Sequence, residues 1–152
     1  FQCGRLIYPE RTSRDANRYV LGGAYATPLG SESTTVLYAG AYAGSEQARD
    51  SSATYIGNTL FGGRLGGEMK LNDEYTLLAS LSLESRKYGG DDPLFLVKRN
   101  DTQADLKVGI NYMPAQKWTI GANLAYTSND SNVVINKYER TLFSISVRRD
   151  FN

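Results

Sequence analysis

Apolar side chains in this sequence fall on alternate positions. In WTIGANLAYT (118–127), Trp118, Ile120, Ala122, Leu124 and Tyr126 share one parity; Thr119, Gly121, Asn123, Ala125 and Thr127 hold the other. A period of two is what a β-strand shows when one face is apolar and the other polar. The pattern recurs along the chain. Thr59, Phe61, Gly63, Leu65, Gly67, Met69 and Leu71 stand against Gly62, Arg64, Gly66, Glu68 and Lys70. Tyr75, Leu77, Ala79, Leu81 and Leu83 oppose Thr76, Leu78, Ser80, Ser82 and Glu84. Ala104, Leu106, Val108, Ile110 and Tyr112 oppose Asp105, Lys107, Gly109 and Asn111. Thr141, Phe143, Ile145, Val147 and Phe151 oppose Arg140, Ser144, Ser146, Arg148 and Asp150. RYVLGGAYA (18–26) and TTVLYAGAYAG (34–44) are strand-like but too rich in small residues to fix a parity. FQCGRLIY (1–8) is an eighth, shorter candidate, and no segment carries a helical period.

The connections have their own regularity. TPLGSES (27–33), LNDE (71–74) and MPAQK (113–117) are short turns. Between them lie longer polar links: PERTSRDAN (9–17), SEQARDSSAT (45–54), GGDDPLFLVKRND (89–101) and SNDSNVVINKY (128–138). Short and long alternate, as in a meander whose two ends meet different compartments. Transmembrane β-barrels have short periplasmic turns, longer outer loops and apolar-out, polar-in strands. A soluble barrel has the reverse faces.

Two signals favour the membrane barrel. The polar parity interleaves Gly, Ser, Thr and Asn with charges of both signs, where a soluble surface would be richer in Lys and Glu. Tyr75, Tyr112, Trp118, Tyr126 and Phe151 sit near strand ends on the apolar parity, as an interface girdle of amphipathic rings does. The expected fold is therefore all-β: an antiparallel up-and-down transmembrane β-barrel of about eight strands, or the C-terminal part of a barrel of about fourteen. Residues 1–152 form one outer-membrane barrel domain, complete or a fragment, with no periplasmic domain. A closing strand that ends in Phe places the short turns in the periplasm and the long links outside.

Composition removes whole classes of chemistry. The 152 residues carry 17 Lys and Arg against 16 Asp and Glu, so the net charge of +1 indicates no nucleic-acid partner. There is no histidine, which excludes Ser-His-Asp and Cys-His catalysis and histidine metal sites. The lone Cys3 forms no internal disulfide and has no zinc spacing. No enzyme activity, metal or cofactor is expected. No window has the roughly 18–20 apolar residues of a transmembrane helix, and no secretory signal is present. Phe1 in place of an initiator Met is expected of a mature or excised segment.

From Arg18 to Phe151 the chain resembles the C-terminal barrel region of the surface lipoprotein assembly modifiers. The closing stretch YTSNDSNVVINKYERTLFSISVRRDF (126–151) carries the resemblance: Ser131–Asn132, Tyr138, Arg140 and the final Arg149–Asp150–Phe151. KRNDTQADLKVGINYMPAQKWTI (98–120) adds a weaker match. The resemblance implies delivery of lipoproteins to the cell surface, with partners to match: surface lipoproteins, another chain completing the barrel, and the barrel-assembly machinery at the C-terminal strand. Three departures stand against it. No tetratricopeptide repeat is present, Arg149 occupies an apolar-parity position, and Asn152 follows the terminal Phe. The alternatives are a small non-catalytic structural or ligand-binding barrel and an exopolysaccharide-export porin. All of these place the chain in the bacterial outer membrane.

Candidate site residues follow from parity. Arg64, Glu68, Lys70, Glu84, Arg86, Asp105, Lys107, Arg140, Arg148 and Asp150 are expected on the lumen side, as a salt-bridged filling or the lining of a passage. Leu81, Val108, Ile110, Leu124 and Ile145 are expected to meet lipid near mid-bilayer. Arg86, Lys87, Lys98, Arg99, Lys137 and Arg140 gather by topology near the outer rim, where cations could pair with lipopolysaccharide phosphates. Asp91 and Asp92 are the only adjacent aspartate pair, read as solvated loop ahead of Ca²⁺ binding or acid–base work. The apolar run PLFLV (93–97), inside a polar outer link, is expected to tuck its own hydrophobes.

Overall fold

The computed structural model describes residues 1–10, 12–30, 34–115 and 117–151. Eight strands follow in chain order: β1 (Gln2–Leu6), β2 (Ala16–Leu29), β3 (Thr35–Ala48), β4 (Asn58–Lys70), β5 (Tyr75–Asp91), β6 (Lys98–Ala115), β7 (Trp118–Ser131) and β8 (Tyr138–Arg149). They form one sheet in which each strand pairs antiparallel with its sequence neighbour. The sheet is up-and-down and not closed, with β1 and β8 at its edges. The doubtful eighth candidate is thus a strand, and every alternating segment is one too.

The short and long connections alternate as the sequence implies, but the long ones are shorter than their polarity suggested. β5 and β6 run on to Asp91 and back from Lys98, leaving only 92–97 of the link GGDDPLFLVKRND as a turn. Polar strand extensions read as loop because they lack the alternating apolar positions that mark the rest of each strand. Short 3-10 turns at Thr12–Arg14, Ser51–Ile56 and Val134–Asn136 complete three outer connections. Residues 31–33 of the first short turn, Gln116 of the third, and Asn152 lie outside the described residues.

Register shows which side chains share a face. Gly62, Glu84, Gln103, Asn129 and Tyr138 stand directly across from one another on successive strands. So do Arg64, Ser82, Asp105, Thr127 and Arg140. The opposite face carries Leu65, Leu81, Leu106, Tyr126 and Thr141. Burial separates the two faces. Asn58, Thr76, Asp101, Thr127 and Asn129 are buried on the polar face, whereas Phe61, Leu83, Phe143 and Ile145 are all more than half exposed on the other. A soluble barrel would bury the second set. Exposed apolar area this extensive marks a surface that meets something other than water.

Candidate functional site

The polar face is organised by side chains that lie across neighbouring glycines. Tyr42 on β3 reaches over Gly62 on β4 to donate its hydroxyl proton to Glu84 Oε2 on β5, at 2.6 Å. An ideal Cβ on Gly62 would sit 2.4 Å from Tyr42 Cζ, so only glycine leaves this path open. Tyr38 lies over Gly66 in the same way, and Asn123 over Gly109. Glu84 also accepts from Arg86, two residues along the same strand. Further across, Asp105 accepts from Thr127 Oγ1 at 2.6 Å and from Gln103 Nε2 at 2.9 Å.

Towards the outer strand ends the charges are paired rather than free. Both oxygens of Glu46 are engaged, by Arg18 Nη1 at 2.9 Å and by Asn58 Nδ2 at 3.0 Å. Arg99 pairs with the buried Asp101 and lies over the Tyr88 ring at 4.6 Å. These groups border a cavity of about 310 Å³ whose wall runs from Leu6 on β1 to Ile135 and Asn136 beyond β7. One cavity lined from both ends of the sheet requires the sheet to curl around its polar face. The 49–57 connection at its rim is held by Asp50, whose Oδ1 accepts from Ser52 N at 2.9 Å and Ser52 Oγ at 2.7 Å. Those bonds keep the Asp50 carboxyl below the usual carboxylate range.

The ten lumen candidates share the polar face, although Asp150 falls just beyond β8. They are not brought into a single cluster. Glu84 and Arg86 pair with each other, Lys70 with Asp73, and Arg148 with Asp150. No ion pair engages Arg64, Glu68 or Arg140 among the described residues. The five lipid-face candidates all lie on the apolar side, with Leu81 across from Leu106 and Ile145 across from Ala122.

Four of the five girdle candidates, Tyr75, Tyr112, Trp118 and Phe151, lie at or beyond strand ends. Tyr75 and Tyr112 stack at 4.7 Å at the short-turn end. At that same end the Arg149 guanidinium lies 5.2 Å from the Trp118 ring and 4.8 Å from the Phe151 ring. That placement accounts for an arginine at an apolar-parity position, because its charge rests on ring faces at the interface. Tyr126 lies near the middle of β7, across from Leu106, and not at a strand end.

The structure places three of the outer groups singled out in the sequence and corrects one reading, that of the run 93–97. The six outer cations do not form one phosphate-binding rim: Arg86 and Arg99 point into the polar face with acid partners, and Lys137 pairs with Asp130 at 2.7 Å. Asp91 and Asp92 do not act together. Asp91 ends β5, while Asp92 Oδ1 accepts from the backbone of Leu94 and Phe95 and so builds the turn. The run 93–97 does not tuck its hydrophobes either, since Leu94 and Leu96 are about three-quarters exposed and only Phe95 is half-buried. The turn is too tight to fold them inward, and it holds Leu96 at φ 54. Sequence reasoning missed Arg18, Glu46, Asn58 and Tyr88. They lie in segments whose parity was ambiguous or whose polarity read as loop, and only the strand register aligns them.

Residues 5–144 match the family described as "Putative MetA-pathway of phenol degradation". No curated protein and no solved structure matches the chain. The matched span runs from β1 into β8 and agrees with the barrel part of the resemblance noted above. Lipoprotein assembly finds no support in it.

Proposed function

The chain belongs to this family, and on that premise we propose that it forms part of the wall of an outer-membrane β-barrel through which small aromatic molecules pass on their way to breakdown. The observation that carries this reading is the inversion of the two faces, with a charged, tyrosine-bearing side turned inward and an unbroken apolar side outward. In hydrocarbon every backbone polar group needs a partner, so a spanning sheet must have no free edge. β1 is five residues long and β8 twelve. β1 and β8 are the two edges of the sheet, so the wall closes by pairing them with each other or with further strands. The family's description supplies the solute class, and the Tyr38, Tyr42 and Tyr88 rings line the inward face with surface suited to it.

The proposal is of a conduit, not a catalyst. The closest approach to an acid–base pair is Tyr42 with Glu84, and Arg86 already holds that carboxylate. Growth of a deletion strain on limiting phenol tests the role. Growth should slow at low phenol and recover with the intact gene, while purified protein leaves phenol unconverted. Unchanged growth at every phenol concentration would reject the conduit, and turnover by the purified protein would reject its inert character. A second reading, delivery of lipoproteins to the surface, rests on the closing segment from Tyr126 to Phe151. Loss of a surface-exposed lipoprotein in the same deletion strain would favour it.

A further inference from the structure

On the polar face the acids are covered and three of the bases are bare. The Glu84 carboxylate, held by Tyr42 and Arg86, is 13 % exposed, and the Asp101 carboxylate, held by Arg99, is 3 % exposed. Glu46 is engaged at both oxygens by Arg18 and Asn58. So is Asp105, at Oδ1 by Thr127 and at Oδ2 by Gln103 and, at 3.5 Å, by Ser82. Arg64, Lys107 and Arg140 are all exposed, and none of them has a hydrogen bond or an ion pair among the described residues. Register accounts for the difference. Arg64 lies between Gly40 and Ser82 on the neighbouring strands, Lys107 between Ser80 and Ala125, and Arg140 beside Thr127. No carboxylate stands opposite any of the three. Asp105 is two residues from Lys107 on the same face, but its oxygens are taken. Glu68, four residues along β4 from Arg64, is the bare acid that stands against them.

We propose that this face selects anions, and that small aromatic carboxylates, benzoate being the simplest, are the solutes the wall favours. The inference rests on the proposed passage of aromatic molecules and adds the charge of those that pass best. A carboxylate only accepts hydrogen bonds, and the donors left without a partner here are the guanidinium groups of Arg64 and Arg140 and the ammonium of Lys107. A guanidinium takes a carboxylate through two parallel N–H···O bonds. Arg64 also stands between Gly62 and Gly66, the glycines that the Tyr42 and Tyr38 rings cover. The cation therefore has an aromatic ring on each side along β4, with surface on which a solute's own ring can pack. An aromatic ammonium of the same shape is repelled by the same three cations, and the oxygens of Glu84 and Asp105 that would attract it are already held by protein donors.

The test uses the full chain in planar lipid bilayers. Reversal potentials in gradients of potassium chloride, potassium benzoate and benzylammonium chloride give the permeability of each ion. Chloride should exceed potassium, and benzoate should exceed benzylammonium by roughly five- to twentyfold at low salt. A unit charge about 4 Å from a solute in water is worth roughly a factor of five, and it acts with opposite sign on the two aromatic ions. The ratio should shrink as added salt screens the charges. Arg64→Gln and Lys107→Gln should each lower the benzoate preference, and Glu68→Gln should raise it. Equal permeability of benzoate and benzylammonium in the unaltered protein, or a preference for the cation, overturns the selection whether or not the variants fold. Either result still shows a conducting wall and leaves the conduit in place. No conductance in any of the three salts removes the conduit, and the selection with it.

Discussion

Replacing Gly62 by alanine tests the way Tyr42 spans β4. The new Cβ would lie 2.4 Å from Tyr42 Cζ, 2.5 Å from its hydroxyl oxygen and 2.9 Å from Cε2. The ring has to leave, and the 2.6 Å bond to Glu84 goes with it. A hydrogen bond to a charged acceptor contributes about 1.5–3 kcal/mol net, and an off-rotamer ring costs about 0.5–1.5 kcal/mol. Against this, alanine suits a strand better than glycine by roughly 0.5–1 kcal/mol. Gly62→Ala should therefore destabilise by about 2–3 kcal/mol. The three nearest atoms all belong to Tyr42, so removing that side chain removes the clash. In a Tyr42→Ala background the same change should become neutral or favourable, by up to about 1 kcal/mol. Gly66 is the internal contrast. Its Cβ would meet Tyr38 at 2.5 Å but also the Ala79 carbonyl oxygen at 2.6 Å. Tyr38→Ala should accordingly fail to rescue Gly66→Ala. The assay is equilibrium urea unfolding from bilayers, with heat-modifiable gel mobility as the check on folding. An equal cost of Gly62→Ala in both backgrounds would refute the spanning ring.

Ile110→Arg should weaken folding into liposomes by about 2–4 kcal/mol, as a charge near mid-bilayer does, while Asn111→Arg on the polar face should cost far less. A lipid-phase quencher that reaches a label at 111 and not at 110 would invert the faces. Single cysteines at Ser51, Asp91 or Asn132 should label in intact cells, and those at Gly30, Asp73 or Ala115 should not; the opposite pattern reverses the orientation. Leu96 sits at φ 54, a conformation that strains an L side chain, so Leu96→Gly should stabilise the 92–97 turn by about 1 kcal/mol, read as a higher unfolding midpoint. The Lys70 ammonium donates to Asp73 at 2.8 Å and holds its carboxyl below the ordinary range. Because the folded value is the lower one, that contact contributes above the ordinary carboxylate value and is lost as pH falls through the depressed one. An NMR titration of Asp73 should show this low midpoint, and Lys70→Gln should return it to normal.

Parity made the strands legible because a membrane strand has two solvents and the code for each is binary. Ile110 and Asn111 declare their faces one by one, and the short turns LNDE and MPAQK mark where the chain reverses. The method fails where a strand meets only one solvent. Lys98–Asp101 and Lys87–Asp91 extend their strands beyond the apolar band, so their polarity resembled that of a loop. The outer-mouth residues were hidden for a related reason. Arg18 lies in a glycine- and alanine-rich strand, β2, and on the other side of β3 the rings of Tyr42 and Tyr38 cross the polar face over Gly62 and Gly66 of β4. Small residues erase the parity signal, and the same smallness admits the rings that organise the site. The partnering of Glu46 with Arg18 and Asn58 depends on register across three strands, Arg18 to Glu46 to Asn58. Register is a property of pairs, and a single strand's sequence does not contain it.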